Sequence, residues 1–181
     1  MIEVEVKAKI NSFKEVKKKL KEINAVKFKT EEQEDLYFNS PVKNFAITDE
    51  ALRIRKTKSY DITNIFITYK GPKIDSKSKT REEIEMKIED EEKAKKILEH
   101  LGFKKVRTVK KNRQYYNYKE YEISLDNIKG LDPYIEIEVS LDGEDDYSTA
   151  QEGIFKVFEL LGIKDGFERT SYLELLENKE I

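Results

Sequence analysis

Three times in this sequence a run of alternating apolar and charged residues passes into an amphipathic helical pattern, and that repeat constrains the fold most tightly. The first run sets Ile2, Val4, Val6, Ala8 and Ile10 against Glu3, Glu5, Lys7 and Lys9, the period of a strand with one apolar and one charged face. Ser12 and Glu15 then form a capping-box signature. Phe13, Val16, Leu20 and Ile23 recur at helical spacing, which predicts a helix over residues 13–24. The alternation returns from Glu83 to Ile88, leading through Asp90 into a helix with Ala94, Ile97, Leu98 and Leu101, ended by Gly102. It returns again from Tyr134 to Val139. Beyond an acidic loop, Ser148 and Gln151 cap a helix carrying Ile154, Phe155, Phe158 and Leu161 before Gly162.

Further alternating runs cover residues 36–39, 51–56, 65–70, 109–118 and 121–126, giving about eight strands, the number at which a small barrel closes. Residues 40–49 and 73–79 are polar, without period, and read as loops. The repeat has unequal periods and is not a solenoid. With 181 residues the chain is sized for one domain, residues 1–181. The helices need apolar sheet surface to bury their stripes. The expected architecture is therefore α+β: one eight-stranded antiparallel closed β-barrel, helices packed outside, charged strand faces lining the lumen.

Charge decides which chemistry such a lumen can hold. Charged residues make up 40% of the chain and apolar ones 38%, yet the formal net charge is only -2. No global basic field points to nucleic acid or an anionic membrane, and no stretch is apolar enough for a span. The absence of cysteine excludes disulfides, thiolate metal sites and sulfur nucleophiles. The N-terminus is an alternating charged segment rather than an apolar signal core, so the expected location is the cytoplasm.

Strand parity groups the charges, because residues two apart point to one side. The sets are Glu3, Glu5, Lys7; Arg53, Arg55; Thr68, Lys70; Arg81, Glu83, Glu85, Lys87; Lys111, Arg113; Glu122, Ser124, Asp126; and Glu136, Glu138, Ser140. Turned inward, Lys7, Arg53, Arg55, Lys70, Lys87, Lys111 and Arg113 repel one another unless a polyanion enters. Arg offers planar bidentate donors and Lys compact charges, a mixture suited to a chain of phosphates. The inward acids Glu3, Glu5, Glu83, Glu85, Asp126, Glu136 and Glu138 are hard oxygen ligands for Mg²⁺ or Mn²⁺ bridging protein and phosphate.

These residues carry a resemblance over nearly the whole chain. Glu3-Val4-Glu5-Val6-Lys7, Ala51-Leu52-Arg53-Ile54-Arg55, Thr68-Tyr69-Lys70-Gly71-Pro72, Arg81-Glu82-Glu83-Ile84-Glu85, Lys111-Asn112-Arg113, Leu125-Asp126 leading to Gly130, Glu136-Ile137-Glu138, and Ser171-Tyr172-Leu173-Glu174-Leu175-Leu176 stand in one order. In that order they resemble the CYTH, or triphosphate tunnel metalloenzyme, superfamily, and within it the class IV adenylyl cyclases. The resemblance implies that Lys7, Arg53, Arg55, Lys70, Lys111 and Arg113 grip a triphosphate, with Lys87 at a further charged family position. It implies that Glu5, Glu136 and Glu138, assisted by Glu3, hold the metal, and that turnover depends on Lys7, Glu5 and Glu138. The implied reaction is ATP to cyclic AMP and pyrophosphate. Hydrolysis of tripolyphosphate, thiamine triphosphate or a nucleoside triphosphate is the alternative, and a non-catalytic nucleotide or polyphosphate sensor is the reading from another class. Small-molecule triphosphates are the expected partners, nucleic acid and membrane are not, and a homodimer stays open. The bacterial cyclases of this class carry a longer segment before the E-x-E-x-K, whereas here the motif starts at Glu3, so no base-recognising residues are legible.

Other residues read as structural. His100 suits a helix C-terminus as a surface side chain. Tyr115, Tyr116 and Tyr118 read as strand packing. The basic run from Lys104 to Arg113 is split by parity between two faces.

Overall fold

The computed structural model describes residues 2–74, 79–141 and 147–179. In chain order the elements are β1 (Ile2–Lys9), α1 (Phe13–Glu22), β2 (Val26–Asn39), α2 (Phe45–Thr48), β3 (Ala51–Ser59), β4 (Ile62–Lys70), β5 (Arg81–Ile88) and α3 (Glu91–His100). They continue with β6 (Lys104–Tyr118), β7 (Tyr121–Ile128), β8 (Tyr134–Leu141), α4 (Tyr147–Leu160), β9 (Phe167–Glu168) and α5 (Tyr172–Asn178). The sheet runs β5-β4-β3-β2-β6-β7-β8-β1, and β1 returns to β5, closing an eight-stranded antiparallel barrel. β9 is an extra strand on β1.

β1 shares one edge between two partners. Ile2 and Glu3 lie opposite Glu82 and Arg81 of β5, while Lys7 and Ala8 lie opposite Glu168 and Phe167 of β9. The join to β9 depends on a close backbone approach. Gly166 has φ +76°, its carbonyl accepts from the Lys9 N–H at 2.9 Å, and a Cβ there would meet the Lys9 carbonyl oxygen at 2.9 Å.

The apolar core lies between the barrel wall and the helices, as parity requires. Val4, Val6 and Ala8 of β1, Ile123 and Leu125 of β7, and Ile135 and Ile137 of β8 pack beneath Val16 and Leu20 of α1 and Ile154, Val157 and Phe158 of α4. Leu36, Phe38, Leu52 and Ile54 pack with Phe45 of α2 and Leu98 of α3. A third cluster lies on the lumen side: Val109, Ile128 and Tyr134, by their strand parity, meet Tyr172 and Leu176 of α5. One end of the barrel is thus filled by an apolar plug rather than by charge.

Several boundaries differ from expectation for identifiable reasons. β2 starts at Val26 rather than Leu36: Val26 and Phe28 alternate with Lys27 and Lys29 too briefly to mark a strand, and residues 29–35 are polar on both faces. β6 likewise begins at Lys104, ahead of Val109. Ser12 caps α1 by accepting from the Lys14 N–H at 3.2 Å, without a reciprocal bond from Glu15. α4 begins at Tyr147, so Ser148 lies within its first turn instead of capping it. The 40–49 loop contains the single turn of α2. Of the expected loop at 73–79, residues 75–78 lie outside the described residues, as does the acidic loop at 142–146.

Candidate functional site

Inside the barrel a cavity of about 850 Å³ is lined by charged side chains from most of the wall. Along its described lining, carboxylates outnumber Lys and Arg side chains, and the two kinds of charge are arranged differently.

The acids gather where β1 meets β8. Antiparallel pairing sets Glu5 directly opposite Glu138, with Glu3 two residues along β1 on the same face. Like charges so placed repel. One carboxylate oxygen from each of Glu3, Glu5 and Glu138 lies within 4.8 Å of the others. Burial, only partly countered by Lys70, and then the neighbouring Glu83 and Glu5 push the Glu3 carboxyl up to about 7. Burial, followed by the charges of Glu3 and Glu5, pushes Glu138 well above the ordinary carboxylate range. Such a group needs a proton or a cation, and its all-oxygen donor set fits Mg²⁺ or Mn²⁺.

The cations are paired within the wall. Asp35 of β2 accepts from Arg55 Nε at 2.6 Å and from its Nη2 at 2.7 Å, and lies 3.4 Å from Arg53 Nη1. Although burial opposes it, Arg55 and Arg53 hold the Asp35 carboxyl well below its usual range. Arg113 donates to Asp126 at 2.7 and 2.5 Å and also contacts Glu136. Lys111 lies 3.5 Å from Asp126, and burial together with Arg113 lowers its amine to about 8. Lys70 pairs with Glu83, and Lys79 bridges Glu5 and Glu136, the latter at 3.2 Å. Arg53 Nε has no hydrogen-bond partner among the described residues, a donor left over in a buried side chain.

Tyr172 closes the plugged end. Its hydroxyl donates to Asp126 at 2.9 Å, and its ring lies 4.1 Å from Lys7 Nζ and 5.2 Å from Lys111 Nζ. Lys7 is fully buried behind it and donates to the Thr170 carbonyl. Burial and then the nearby Lys79 lower the Lys7 amine to about 7.

The structure brings Glu3, Glu5, Glu136, Glu138, Arg53, Arg55, Lys70, Lys111 and Arg113 to one cavity. Three placements differ from expectation. Glu136 is not one of the Glu3, Glu5 and Glu138 cluster but adjoins it, hydrogen-bonded to Glu5 and paired with Lys79 and Arg113. Lys7 is absent from the lining, since Tyr172 covers it. Lys87 is exposed and away from the cavity: among the described residues β1 pairs with β5 only at Arg81 and Glu82, and the far end of β5 overhangs the closed barrel.

Sequence reasoning missed Asp35, Lys79 and the packing role of Tyr172. Asp35 follows a stretch with no apolar face, and Lys79 sits in an aperiodic segment. Its backbone N–H nevertheless continues the β1 seam, donating to the Glu5 carbonyl at 2.9 Å. At the mouth, Phe38, Phe45, Ala46 and Val106 supply apolar lining beside Asn39 and Asn44. Those amides serve the chain itself: Asn39 Oδ1 accepts from Ser40 and Phe45 N–H at 3.0 and 2.9 Å, and Asn39 Nδ2 donates to Asn44 Oδ1 at 3.2 Å.

Comparison with known proteins places this geometry. A Methanocaldococcus jannaschii protein provisionally named adenylate cyclase is 45% identical over 176 residues, covering 97% of this chain and 98% of that protein. The adenylate cyclase CyaB of Aeromonas hydrophila is 26% identical over 113 residues, 62% of this chain and 55% of that one. A solved structure from Pyrococcus horikoshii superposes with a TM-score of 0.91 at 44% identity, covering 98% of this chain and 99% of that one. The CYTH domain model matches residues 1–172. With a closed charged barrel, an acidic cluster on the E-x-E strands and that match across the chain, the protein belongs to the CYTH domain family.

Proposed function

We propose that the chain is a metal-dependent enzyme that takes a linear triphosphate into this cavity and breaks it at phosphorus. The charge balance of the lining carries the reading. A triphosphate alone meets more carboxylates than cations there, so it enters favourably only with positive ions beside it. Glu3, Glu5 and Glu138 are the residues that would hold Mg²⁺ or Mn²⁺. A bound divalent ion would supply Lewis-acid neutralisation of phosphate oxygens and of the leaving phosphate.

The chain's own residues do the rest. Arg53 and Lys70, which line the cavity, offer donors to non-bridging oxygens, while Asp35 and Asp126 hold Arg55 and Arg113 in fixed orientations. Donors fixed before the ligand arrives need little reorganisation as charge develops on phosphorus. Glu136 positions Lys79 and Arg113. No side-chain nucleophile is required.

Two reactions use this grip. In cyclisation the ribose 3′-hydroxyl attacks the α-phosphorus and pyrophosphate leaves, giving cyclic AMP from ATP; the names of the Methanocaldococcus and Aeromonas relatives favour it. In hydrolysis water attacks the terminal phosphorus, its bond to the bridging oxygen breaks, and the diphosphate leaves, giving ADP and phosphate from ATP or pyrophosphate and phosphate from tripolyphosphate. The commitment of Asn39 and Asn44 to their own loop favours hydrolysis, because reading an adenine edge needs free polar partners. Incubating the protein with ATP, and separately with tripolyphosphate, with and without Mg²⁺ or Mn²⁺, tests the proposal. Cyclic AMP with pyrophosphate identifies cyclisation, ADP with phosphate identifies hydrolysis, and binding without turnover under any metal overturns the enzyme reading in favour of a sensor.

A further inference from the structure

Among the described residues, β5 pairs with β1 only through its first two residues. Arg81 and Glu82 lie opposite β1, and from Glu83 to Ile88 the strand's paired edge is the one against β4. The Glu82 carbonyl accepts from the Gly71 N–H on the β4 side at 2.9 Å. Backbone groups alternate in direction along a strand, so those of Glu85 and Lys87 face the other, open edge. On the outer face, Ile84 and Met86 are 58% and 60% exposed, whereas Ile88 packs against the cluster that holds Leu98 of α3. An exposed edge with apolar side chains is a template for another strand.

We propose that this edge pairs with the same strand of a second copy of the chain, antiparallel about a two-fold axis at Met86, continuing one barrel wall into the next. The sequence of the strand argues for that occupant. In this register Glu85 lies opposite the partner's Lys87 and Lys87 opposite the partner's Glu85, giving two cross-strand ion pairs. Ile84 faces the partner's Ile88, a half-buried residue, and Met86 faces the partner's Met86, so the exposed Ile84 and Met86 side chains of both copies gain apolar neighbours. A two-fold contact requires such self-complementarity. A one-residue slip turns every side chain to the wrong face. The next register with matched faces, centred on Glu85, sets that carboxylate against its own copy and draws on Glu83, which Lys70 already neutralises. Edge strands guarded against association commonly carry charge there. Here opposite signs on alternate residues invite an antiparallel copy. Glu83 and Glu85 also line the cavity, so docking brings the partner's Lys87 to its rim.

The test is sedimentation of the full chain over a concentration series, with thermal melts confirming that each variant folds. The wild type is expected to dimerise. Lys87→Glu places like charges opposite Glu85 twice and is expected to raise the dimer dissociation constant by about tenfold or more. The double variant Glu85→Lys with Lys87→Glu restores opposite signs and is expected to recover dimerisation. A wild type that stays monomeric throughout, a dimer indifferent to Lys87→Glu, or a folded double variant that fails to recover would each overturn the proposal.

Discussion

Two walls of the same lumen handle buried charge in opposite ways. On β3 and β6, Arg53, Arg55, Lys111 and Arg113 meet Asp35 and Asp126 at hydrogen-bonding or ion-pair distances, so each cation is held by a carboxylate and half of the wall's positive charge is offset before any ligand arrives. Where β1 meets β8, Glu3, Glu5 and Glu138 crowd together, and two of them are held against ionisation. The first wall is built to stay put. The second is left electrostatically unfavourable, and a ligand that relieves it gains most. The contrast teaches that the many lysines and arginines orient a triphosphate, whereas the carboxylate corner makes its capture depend on a cation.

Removing the neutralising partner from the basic wall should have the largest effect. Asp35→Asn leaves two buried guanidinium groups uncompensated and is expected to lower stability by about 3–5 kcal/mol. In denaturant titration, tripolyphosphate should recover more stability for this variant than for wild type; an unchanged midpoint would show that the wall is not held by Asp35. The acid corner is tested next. Glu5→Gln or Glu138→Gln is expected to lower metal-dependent turnover by about a hundredfold or more with the fold intact, measured as rate against Mg²⁺ or Mn²⁺ concentration. Near-normal rates with unaltered metal dependence would remove these residues from the metal site.

The same corner predicts a pH signature for the metal-free protein. Glu3 moves from 4.5 to about 7 on folding, so between those values the folded state holds a proton that the unfolded state has lost. Its contribution to stability is full below pH 4.5 and is lost as pH rises to about 7. Lys7 moves from 10.5 to about 7, so above pH 7 the unfolded state binds the extra proton and stability climbs again towards pH 10.5. Melting temperature against pH should therefore pass through a minimum near neutrality. Saturating Mg²⁺ should flatten its acid arm, and a profile identical with and without metal would contradict the cluster's role.

The smallest effect concerns the mouth rather than either wall. With Asn39 and Asn44 engaged in their own loop, ATP and GTP are expected to bind within about tenfold of each other, roughly 1.4 kcal/mol, and tripolyphosphate to compete with both. Competition binding showing a strong preference for ATP would reveal base recognition and move the balance towards cyclisation.

Much of this was legible in the sequence because a strand's two-residue period is a physical rule that survives without tertiary contacts. Parity assigned Glu3, Glu5 and Glu138 to the inner face and Val4, Val6 and Ile137 to the core, and the structure keeps both assignments. It failed for Asp35, which follows a stretch polar on both faces, and for Lys79, which reaches the site from a segment without period. It also assigned Lys87 to the lumen, a side that loses its meaning where β5 overhangs the closed barrel.

By itself, then, the sequence determined a curled antiparallel sheet with helices outside and opposite charges inside, since alternation and helical stripes are local properties that leave each apolar face one place to go. Only the tertiary structure decided which charges neutralise each other. Asp35 reaches Arg55 across β2 and β3, Lys79 and Arg113 pair with Glu136 beside the acid corner, and Tyr172 returns from the far end of the chain to cover Lys7. Ion pairing depends on distances of a few ångströms between residues far apart in the chain, and those distances are set by register and closure, which no local pattern encodes.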